Sequence, residues 1–317
     1  KIEKEKGKVI KFDKRDDYLT FLNGYKEDYS NLKIGMDLSN GMAALFVKDI
    51  FGDQPLYICD KMDGNFPNHE PNPLVEKNRE DLKNLVLDNG CDVGVIYDGD
   101  ADRVMFIDEN GRFISPDLMI ALLGHYFLEE KGEKGAVLQD IRSSKAVGEY
   151  LTPMGAEMHT WRVGRAFAAH KLRELNGVFG GELAGHYYFR DFYYSDSGIL
   201  ASLLILNVIA KLKNQGLSLS QQISRIEKYQ NSGEINFKIE SKKEAMDAVR
   251  DYFTSQEQPT ASFDFDGYRV EFNDWWFNVR PSNTEPYLRF ICEASTKELL
   301  EKKEKKCFIK ENYYGLS

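Results

Sequence analysis

The sequence predicts an α/β protein with two α/β domains, whose sheets are mixed or parallel, followed by a small α+β domain with an antiparallel sheet. Two observations predict this fold class. Between residues 32 and 212, short apolar runs suited to buried strands alternate with helical segments, as is typical of parallel sheets. After residue 234, several strand-like runs follow one another between two helical segments, as is typical of antiparallel α+β domains.

The first two thirds of the chain divide into alternating strands and helices. The predicted strands occupy residues 33–38, 55–59, 93–97, 104–107, 136–139 and 157–161, and a strand from residue 178 runs into a glycine-rich turn. The predicted helices occupy residues 15–25, 39–51, 116–128, 144–151, 163–175 and 197–212, and an amphipathic helix ends near residue 89. A turn signal, Asp-Glu-Asn-Gly, separates two sets of elements at residues 108–111.

The C-terminal region has a different texture. Ser241 and Ser295 each begin a Ser-x-x-Glu capping box, so we expect a helix after each of them. The predicted strands lie at residues 235–239, 262–265, 268–272, 276–279 and 287–293. We therefore expect three domains, at residues 30–113, 114–228 and 229–317.

Composition excludes some classes of function. The chain has 317 residues and a net charge of −9, which argues against general nucleic-acid binding because that needs a basic face. The longest apolar run, residues 199–210, is shorter than the roughly 20 residues of a membrane-spanning helix, and the N-terminus has no apolar signal core. The cysteines form no Cys-x-x-Cys pair, so we expect a reducing, cytoplasmic location. They are Cys59, Cys91, Cys292 and Cys307.

A short loop between two apolar runs carries three aspartates at alternate positions, Asp98, Asp100 and Asp102. We call residues 98–103 the aspartate loop. Carboxylates this close repel one another unless a cation lies among them, and hard oxygen ligands suit Mg2+. The loop also follows a strand of the predicted parallel sheet, where ligands bind in such folds. The pattern therefore predicts a Mg2+ site.

Two other interpretations of the aspartate loop are weaker. Its Asp-Gly pair could merely supply the turn of a hairpin. An EF-hand would also place acidic residues at positions 98, 100, 102 and 109, but it requires Gly where this chain has Arg103. Residues 104–107 moreover have the pattern of a strand rather than of a calcium loop.

A second loop, residues 280–286, reads Arg-Pro-Ser-Asn-Thr-Glu-Pro. Arg280 offers a planar fork that matches phosphate, and Ser282, Asn283 and Thr284 can donate to the remaining oxygens. A proline-bounded turn between two strands is the plain structural alternative. The density of donors around one arginine favours an anion site.

A third loop carries Glu182 and His186 around a glycine-rich turn. An acceptor and a donor at this spacing can hold adjacent hydroxyl groups of a sugar. In the alternative interpretation, Glu182 caps a helix and His186 packs in the interior, and the residues alone do not decide between the two.

In this order and spacing, the three loops resemble the α-D-phosphohexomutase family, most closely its bacterial phosphomannomutase/phosphoglucomutase members. The matching sequences are Asp-Gly-Asp-Ala-Asp-Arg at 98–103, Gly-Glu-Leu-Ala-Gly-His at 181–186 and the loop at 280–286, supported by Phe-Pro-Asn-His-Glu-Pro-Asn-Pro at 66–73 and Trp-Arg-Val-Gly-Arg at 161–165. The resemblance covers nearly the whole chain from about residue 30. It implies that the two α/β domains correspond to the second and third domains of the family.

The resemblance also implies roles for individual residues. The three aspartates would bind Mg2+, and Arg103 would help to neutralise the phosphoryl group in transfer. Arg162, at a position where the family often has Lys, would support the reacting oxygen electrostatically. Glu182 and His186 would hold the sugar hydroxyls, while Arg280, Ser282, Asn283 and Thr284 would bind the phosphate that does not react.

The family carries its phosphorylated serine in a first domain, within a Ser-His-Asn-Pro loop that is absent from this sequence. We therefore expect residues 1–29 to be the tail of a missing N-terminal domain together with a linker helix. The implied reaction interconverts hexose 6-phosphate and hexose 1-phosphate through a bisphosphorylated sugar. Without the serine, we expect the chain alone to be inactive.

Two further functions remain open. Ala184 stands where many relatives have Ser, and Arg165 stands where His is common, so the sugar preference is open. We call residues 280–286 the phosphate loop. Its Ser-Asn-Thr sequence favours mannose or glucose phosphates as substrates. A preference for glucosamine phosphate would instead make the protein a phosphoglucosamine mutase. A non-catalytic phosphosugar-binding protein is the alternative from another class.

Overall fold

Within residues 7–282 and 286–311, the computed structural model has three β-sheets that follow one another along the chain, each with its own helices. Only the backbone is described for residues 308–311. We refer to the three parts as the first, second and third units. No helix in these ranges is both long enough and apolar enough to cross a membrane.

The first unit has a mixed sheet in the order β2-β1-β3-β4-β5. Its strands are β1 (Ile34–Asp37), β2 (Leu56–Ile58), β3 (Val93–Tyr97), β4 (Val104–Asp108) and β5 (Phe113–Ile114). Its helices are α1 (Arg15–Asn23), α2 (Val47–Phe51) and α3 (Glu80–Asn89). Strands β2, β1 and β3 are parallel, whereas β4 runs back along β3 and β5 runs back along β4. The carboxyl ends of the parallel strands therefore lie along one edge.

The second unit repeats this design in the order β10-β9-β8-β6-β7. Its strands are β6 (Gly135–Asp140), β7 (Ala156–Trp161), β8 (Phe179–Gly181), β9 (Tyr187–Phe189) and β10 (Ser195–Asp196). Its helices are α4 (Pro116–Gly124), α5 (Lys145–Leu151), α6 (Arg165–Glu174), α7 (Gly198–Asn214) and α8 (Leu219–Ile226). Strands β7, β6 and β8 are parallel, and β9 and β10 continue the sheet in antiparallel fashion. The apolar helices α4 and α7 are buried because they pack in the interior between the two sheets.

The third unit has an antiparallel sheet in the order β11-β16-β15-β14-β13, and β12 also pairs with β16. Its strands are β11 (Gln230–Asn231), β12 (Ile235–Phe237), β13 (Ala261–Phe263), β14 (Tyr268–Glu271), β15 (Trp275–Pro281) and β16 (Leu288–Ala294), and its helices are α9 (Lys242–Gln256) and α10 (Lys297–Glu311). The predicted fold class, two mixed α/β sheets and an antiparallel α+β unit, is confirmed.

Helix α1 packs on both the first and the second unit. Leu22 is fully buried in the core that the two units share, and the Tyr18 ring lies edge-on to Phe46, with 5.0 Å between ring centroids. The Phe21 ring contacts Phe192 of the second unit, with 5.8 Å between centroids. Helix α1, which precedes the first strand in the sequence, therefore buries its apolar face against both units.

Several local predictions need correction. The helix predicted at residues 39–51 is broken into a 3-10 turn at Met42–Leu45 and the short α2. Ser241 makes no side-chain cap bond, although α9 begins after it as expected. The hydroxyl that caps α10 belongs to Thr296 rather than Ser295, since Leu299 N donates to Thr296 Oγ1 over 3.2 Å. The capping box occurs instead at Ser218, before α8, a helix that the sequence analysis does not predict.

Arg269 joins the third unit to the second. Its buried guanidinium donates from Nη1 to the carbonyl oxygens of Ile141, at 2.8 Å, and Ser143, at 2.7 Å. The same group lies 3.8 Å from the ring centroid of Trp276 and pairs through Nε with Glu271 at 2.7 Å. A cation that leaves water in this way has to be hydrogen-bonded, and here the second unit supplies two of the acceptors.

The backbone of the third unit leaves no space for a side chain at Gly267. The φ of Gly267 is +68°, and an added Cβ would lie 2.2 Å from Val279 O and 2.6 Å from Arg280 Cβ. We expect Gly267→Ala to lower the free energy of unfolding by about 3 kcal/mol because strand β15 must move. Gly233→Ala is the matched control, with φ +69° and open space around it, and it should cost only about 1 kcal/mol. Equal costs in urea unfolding of the two variants would contradict the steric explanation.

Candidate active site

The aspartate loop is the turn of the β3–β4 hairpin, closed by a hydrogen bond of 3.3 Å from Asp98 N to Arg103 O. The hairpin interpretation is therefore correct for the backbone, and the side chains add a cluster of carboxylates. Asp98 is buried, Asp102 is half-buried and Asp100 is exposed, and one carboxylate oxygen from each lies within 4.8 Å of the others. Three hard oxygen ligands at this spacing can hold a divalent cation.

Arg103 lies against the first of these carboxylates. Its Nε donates to Asp98 Oδ2 over 2.7 Å, its backbone N–H donates to Asp98 Oδ1 over 3.2 Å, and Asp102 Oδ1 is 4.0 Å from the same Nε. The loop needs a left-handed residue at Ala101, with φ +62°, to turn these groups together. The guanidinium therefore balances charge at the loop from which it comes.

Two cationic side chains of the second unit approach Asp102. Arg165 Nη1 is 3.3 Å from Asp102 Oδ2, and His186 Nδ1 is 3.7 Å from Asp102 Oδ1. Burial raises the pKa of Asp102 to about 6; the charge of His186 opposes this rise, and the neighbouring aspartates reinforce it. The raised pKa therefore follows mainly from the removal of this carboxyl group from water, and a cation bound beside it would lower that pKa.

Asp196, at the end of β10, organises both of these cations. Its Oδ2 accepts the Nδ1–H of His186 over 2.7 Å, and its Oδ1 pairs with Arg165 Nε over 2.9 Å. Burial alone would raise the pKa of Asp196, but His186 and Arg165 lower it, so the group is a carboxylate. Burial would likewise lower the pKa of His186, and the carboxylates of Asp196, Asp102 and Glu182 raise it.

Backbone contacts fix the aspartate loop between the two units. Gly198 N, at the start of α7, donates to Ala101 O over 3.1 Å, and Val104 N donates to Gly185 O over 3.1 Å. A Cβ on Gly198 would lie 2.8 Å from Ala101 O, so only glycine permits this approach. Within the first unit, Met42 N donates to Gly99 O over 2.9 Å.

Glu182 lies beside the start of α6 and is almost fully buried. Its Oε1 accepts the N–H of Gly164 over 2.9 Å, while Asp140 Oδ2 accepts the N–H of Leu183 over 2.8 Å. Burial and the charge of Asp140 raise the pKa of Glu182. Glu182 thus holds the backbone of Gly164, the residue before α6, and His186 joins the carboxylate cluster. The sugar-binding roles of Glu182 and His186 stay predictions.

Arg162 has an unusual environment. Its guanidinium carbon lies 4.2 Å from the ring centroid of Phe167, and its Nε is buried without a hydrogen-bond partner in the described part of the chain. A buried donor left unpaired costs free energy. An anionic ligand would satisfy it.

Asp266 connects Arg280 to the backbone of Val163, the residue that follows Arg162. Asp266 Oδ1 pairs with Arg280 Nε over 3.4 Å, and Asp266 Oδ2 accepts the N–H of Val163 over 2.8 Å. Arg280 itself is buried, so its guanidinium is fixed in direction. The carboxylate therefore joins the loops of the second and third units.

Ser282 closes the base of the phosphate loop, because its N–H donates to Tyr287 O over 2.9 Å. Asn283 and Thr284, the other predicted phosphate ligands, lie outside the described residues. Their roles stay predictions.

The structure connects the predicted residues through groups that the sequence analysis did not assign. The aspartates, Arg103 and His186 form one cluster, and a series of contacts leads from Glu182 through the residue pair 163–164 to Arg280. Asp140, Asp196 and Asp266 were not singled out from the sequence, and Arg165 was noted only for its bearing on the sugar preference. The only sequence signal for Asp196 was the Asp-Ser-Gly that precedes the long apolar helix, a common helix start.

Asp196 should matter for stability more than an exposed aspartate nearby. We expect Asp196→Asn to lower the free energy of unfolding by about 2–3 kcal/mol, because His186 and Arg165 lose a buried counter-charge. The control is Asp191→Asn, whose side chain is 49% exposed and 3.7 Å from Arg190, and which should cost about 0.5 kcal/mol or less. Urea unfolding of both variants measures the difference, and similar values for the two would contradict this role.

Three domain models of one protein family match almost the whole described chain, in consecutive order. They are phosphoglucomutase/phosphomannomutase alpha/beta/alpha domain II at residues 16–111, alpha/beta/alpha domain III at 115–229 and the C-terminal domain at 234–307. The phosphomannomutase of Methanocaldococcus jannaschii is 34% identical over 310 residues, covering 95% of this chain and 67% of that protein. The phosphomannomutase of Escherichia coli K12 is 34% identical over 302 residues, covering 92% of this chain and 65% of that protein.

Solved structures have the same fold. A phosphoglucomutase/phosphomannomutase family protein from Burkholderia thailandensis superposes with a TM-score of 0.81 at 24% identity, covering 93% of this chain and 63% of that one. An Aspergillus fumigatus N-acetylphosphoglucosamine mutase, in complex with GlcNAc-6P and magnesium, superposes at 0.66 with 13% identity, covering 92% and 69%. The chain thus spans about two thirds of the length of these relatives. The chain belongs to the phosphoglucomutase/phosphomannomutase family.

Proposed function

We propose that this chain supplies the metal-, sugar- and phosphate-binding sites of a phosphohexomutase of the phosphomannomutase/phosphoglucomutase type. The reaction would interconvert hexose 6-phosphate and hexose 1-phosphate through a phosphoserine and a bisphosphorylated hexose. The observation that carries the proposal is the cluster in which Asp98, Asp100 and Asp102 meet the cations of both units. The protein would act in the cytoplasm, where its phosphosugar substrates would be found.

Mg2+ fits the aspartate loop. The donor set consists of carboxylate oxygens alone, and one oxygen from each of the three side chains lies within 4.8 Å of the others, a spacing that suits one divalent cation. Asp98, Asp100 and Asp102 would hold the ion. When bound, Mg2+ would neutralise charge on the phosphoryl group in transfer.

The cationic side chains would do the rest of the electrostatic work. Phosphoryl transfer requires positioning and charge neutralisation more than covalent help from the protein. Arg103 and Arg165 stand at the carboxylates with parts of their guanidinium groups available for phosphoryl oxygens. Arg162 brings a buried Nε that has no hydrogen-bond partner among residues 7–282 and 286–307, and an oxygen of the sugar or its phosphate would satisfy it. Because an arginine keeps its proton, these groups act as fixed charges rather than as bases.

Substrate binding would use the other two loops. The Nδ1–H of His186 donates to Asp196 Oδ2, so Nε2 would bind a sugar hydroxyl. Glu182 has one oxygen committed to Gly164 and the other for the sugar. Arg280 would bind the phosphate at the far end, together with Ser282, Asn283 and Thr284. The bisphosphorylated intermediate carries a phosphate at each end of the sugar. The Arg280 site would therefore bind whichever phosphate is not reacting, in either orientation of the sugar.

The chain should bind phosphosugars without converting them. We expect the purified chain with Mg2+ to bind glucose 1,6-bisphosphate in isothermal titration calorimetry, because the three loops are present. We expect no hexose 6-phosphate from mannose 1-phosphate in a coupled assay, because the chain has no Ser-His-Asn-Pro sequence.

Each outcome of this experiment is informative. Turnover by the purified chain would contradict the need for the serine, and absence of binding would contradict the assigned sites. When the chain is complemented by a phosphoserine-bearing domain, faster turnover of glucosamine phosphate than of mannose phosphate would make the protein a phosphoglucosamine mutase. Absence of turnover with every phosphosugar would favour a non-catalytic binding protein.

Arg280→Lys tests the phosphate site and keeps the charge opposite Asp266. We expect the Kd for glucose 1,6-bisphosphate to rise by about 30-fold, or about 2 kcal/mol, because the planar fork is lost. Arg250→Lys, on α9 and paired with Asp247, is the matched control and should leave the Kd within about twofold. Calorimetry measures both variants, and an unchanged Kd in Arg280→Lys would remove Arg280 from the site.

A further inference from the structure

A second group of potential ligands lies at the carboxyl edge of the first sheet. Asp37 is the last residue of β1, and Cys59 follows β2, the neighbouring parallel strand. His69 reaches the same place from residues 65–73, which we call the covering loop. One side-chain ligand atom from each residue lies within 4.8 Å of the others. We propose that Asp37, Cys59 and His69 form a site for a thiophilic divalent cation such as Zn2+, separate from the aspartate loop.

The types of donor distinguish this site from the Mg2+ site. A thiolate, an imidazole nitrogen and a carboxylate oxygen form a set that Zn2+ accepts in tetrahedral geometry, with a fourth position for water. Mg2+ avoids sulfur and prefers oxygen ligands alone. Cys59 is a free thiol, so its sulfur is available to a metal. The two sites at this edge therefore select different ions.

Outer contacts orient the side chains as they do in established metal sites. His69 Nδ1 lies 2.9 Å from the carbonyl oxygen of Glu70, which fixes the ring and turns Nε2 toward Asp37 Oδ2, 3.0 Å away. Asp37 Oδ1 accepts the N–H of Ser39 over 2.8 Å, so its Oδ2 is the oxygen that faces His69. A metal-binding histidine characteristically donates its other ring N–H to a carbonyl or carboxylate group. Both ligands have such support here.

The proton balance of binding is simple. Without a metal, both ring nitrogens of His69 face acceptor oxygens, Glu70 O and Asp37 Oδ2, so each carries a proton. Zn2+ would replace the proton on His69 Nε2 and the proton of the Cys59 thiol. Two protons leave to solvent as the Zn–N and Zn–S bonds form, and the site gains no net charge.

An ion in this site would fix the covering loop over the aspartate loop. A Cβ on Gly99 would lie 3.4 Å from Pro71 Cγ and 3.7 Å from Phe66 Cζ, so the covering loop packs on the turn between Asp98 and Asp100. His69 lies between Phe66 and Pro71 in the sequence. A bond from His69 to a metal held by β1 and β2 would attach the loop to the sheet. The ion thus has a structural role beside the site of phosphoryl chemistry.

Cobalt(II) provides a direct test with the full chain. The titration is done in excess MgCl2, so that the aspartate loop is saturated, and absorption is recorded. We expect one equivalent of Co2+ to give a thiolate-to-cobalt charge-transfer band, and Zn2+ to abolish it by displacement. Cys59→Ser should lose the band, and His69→Gln should weaken cobalt binding at least about 10-fold. Cys91→Ser removes a buried thiol outside the cluster and should keep the band.

A second measurement needs no variant. Zn2+ should slow the alkylation of Cys59 by iodoacetamide, read by mass spectrometry of tryptic peptides, and should leave the rate at Cys91 unchanged. A wild-type protein without the charge-transfer band, a band that persists in Cys59→Ser, or alkylation of Cys59 that is insensitive to Zn2+ would overturn the proposal.

Discussion

The contact between the first two units depends on cations that balance the charges of poorly hydrated carboxylates. Asp98 and Asp196 are almost fully buried and Asp102 is partly buried, so their charges are only weakly screened by water. Each is answered by a cation, and the cations come from different parts of the chain: Arg103 from the hairpin itself, and Arg165 and His186 from the second unit. Separating the units would take Arg165 and His186 away from the partly buried Asp102, so these ionic contacts and the shared apolar core favour the same packing.

The arrangement also explains why the loops meet where they do. In the first two units, parallel strands place their carboxyl ends along an edge, and the loops that follow them carry the polar groups. Asp98 follows β3 and Glu182 follows β8 in the same manner. The antiparallel third unit contributes a loop between two strands, and Asp266 connects that loop to the second unit. Similar chemistry is thus presented by two different kinds of sheet.

The sequence predicted what local patterns can encode. Alternation of strands and helices gave the fold class, and three aspartates in one loop gave the carboxylate cluster, because neither depends on distant parts of the chain. Asp196 and Asp266 could not be found in this way: each acts through partners that are remote in sequence or in a different unit, and neither has an unusual neighbour in the chain. Glu182 shows a further limit, since its carboxylate accepts a backbone N–H just before α6, a contact that residue types alone do not specify.

Capping depends on similar details. Ser241 and Ser218 both precede helices, but only Ser218 makes reciprocal bonds with the fourth residue of its box. The backbone at Ser241, with ψ of 63°, departs from the extended value of 165° at Ser218, so its hydroxyl does not meet the free N–H groups of the helix. A pattern of residue types cannot specify that dihedral angle, which is set by the strand and turn that come before it.

Arg269 has a consequence for motion of the third unit. Its guanidinium bonds two carbonyl oxygens of the second unit while its flat face rests on Trp276 of its own sheet. A rotation that opened the space between these units would strip a buried cation of both acceptors at once, at a cost of about 1.5–3 kcal/mol for each charged hydrogen bond unless water replaced them. Opening is therefore coupled to hydration, because water would have to replace both carbonyl acceptors of Arg269 as the two units separate.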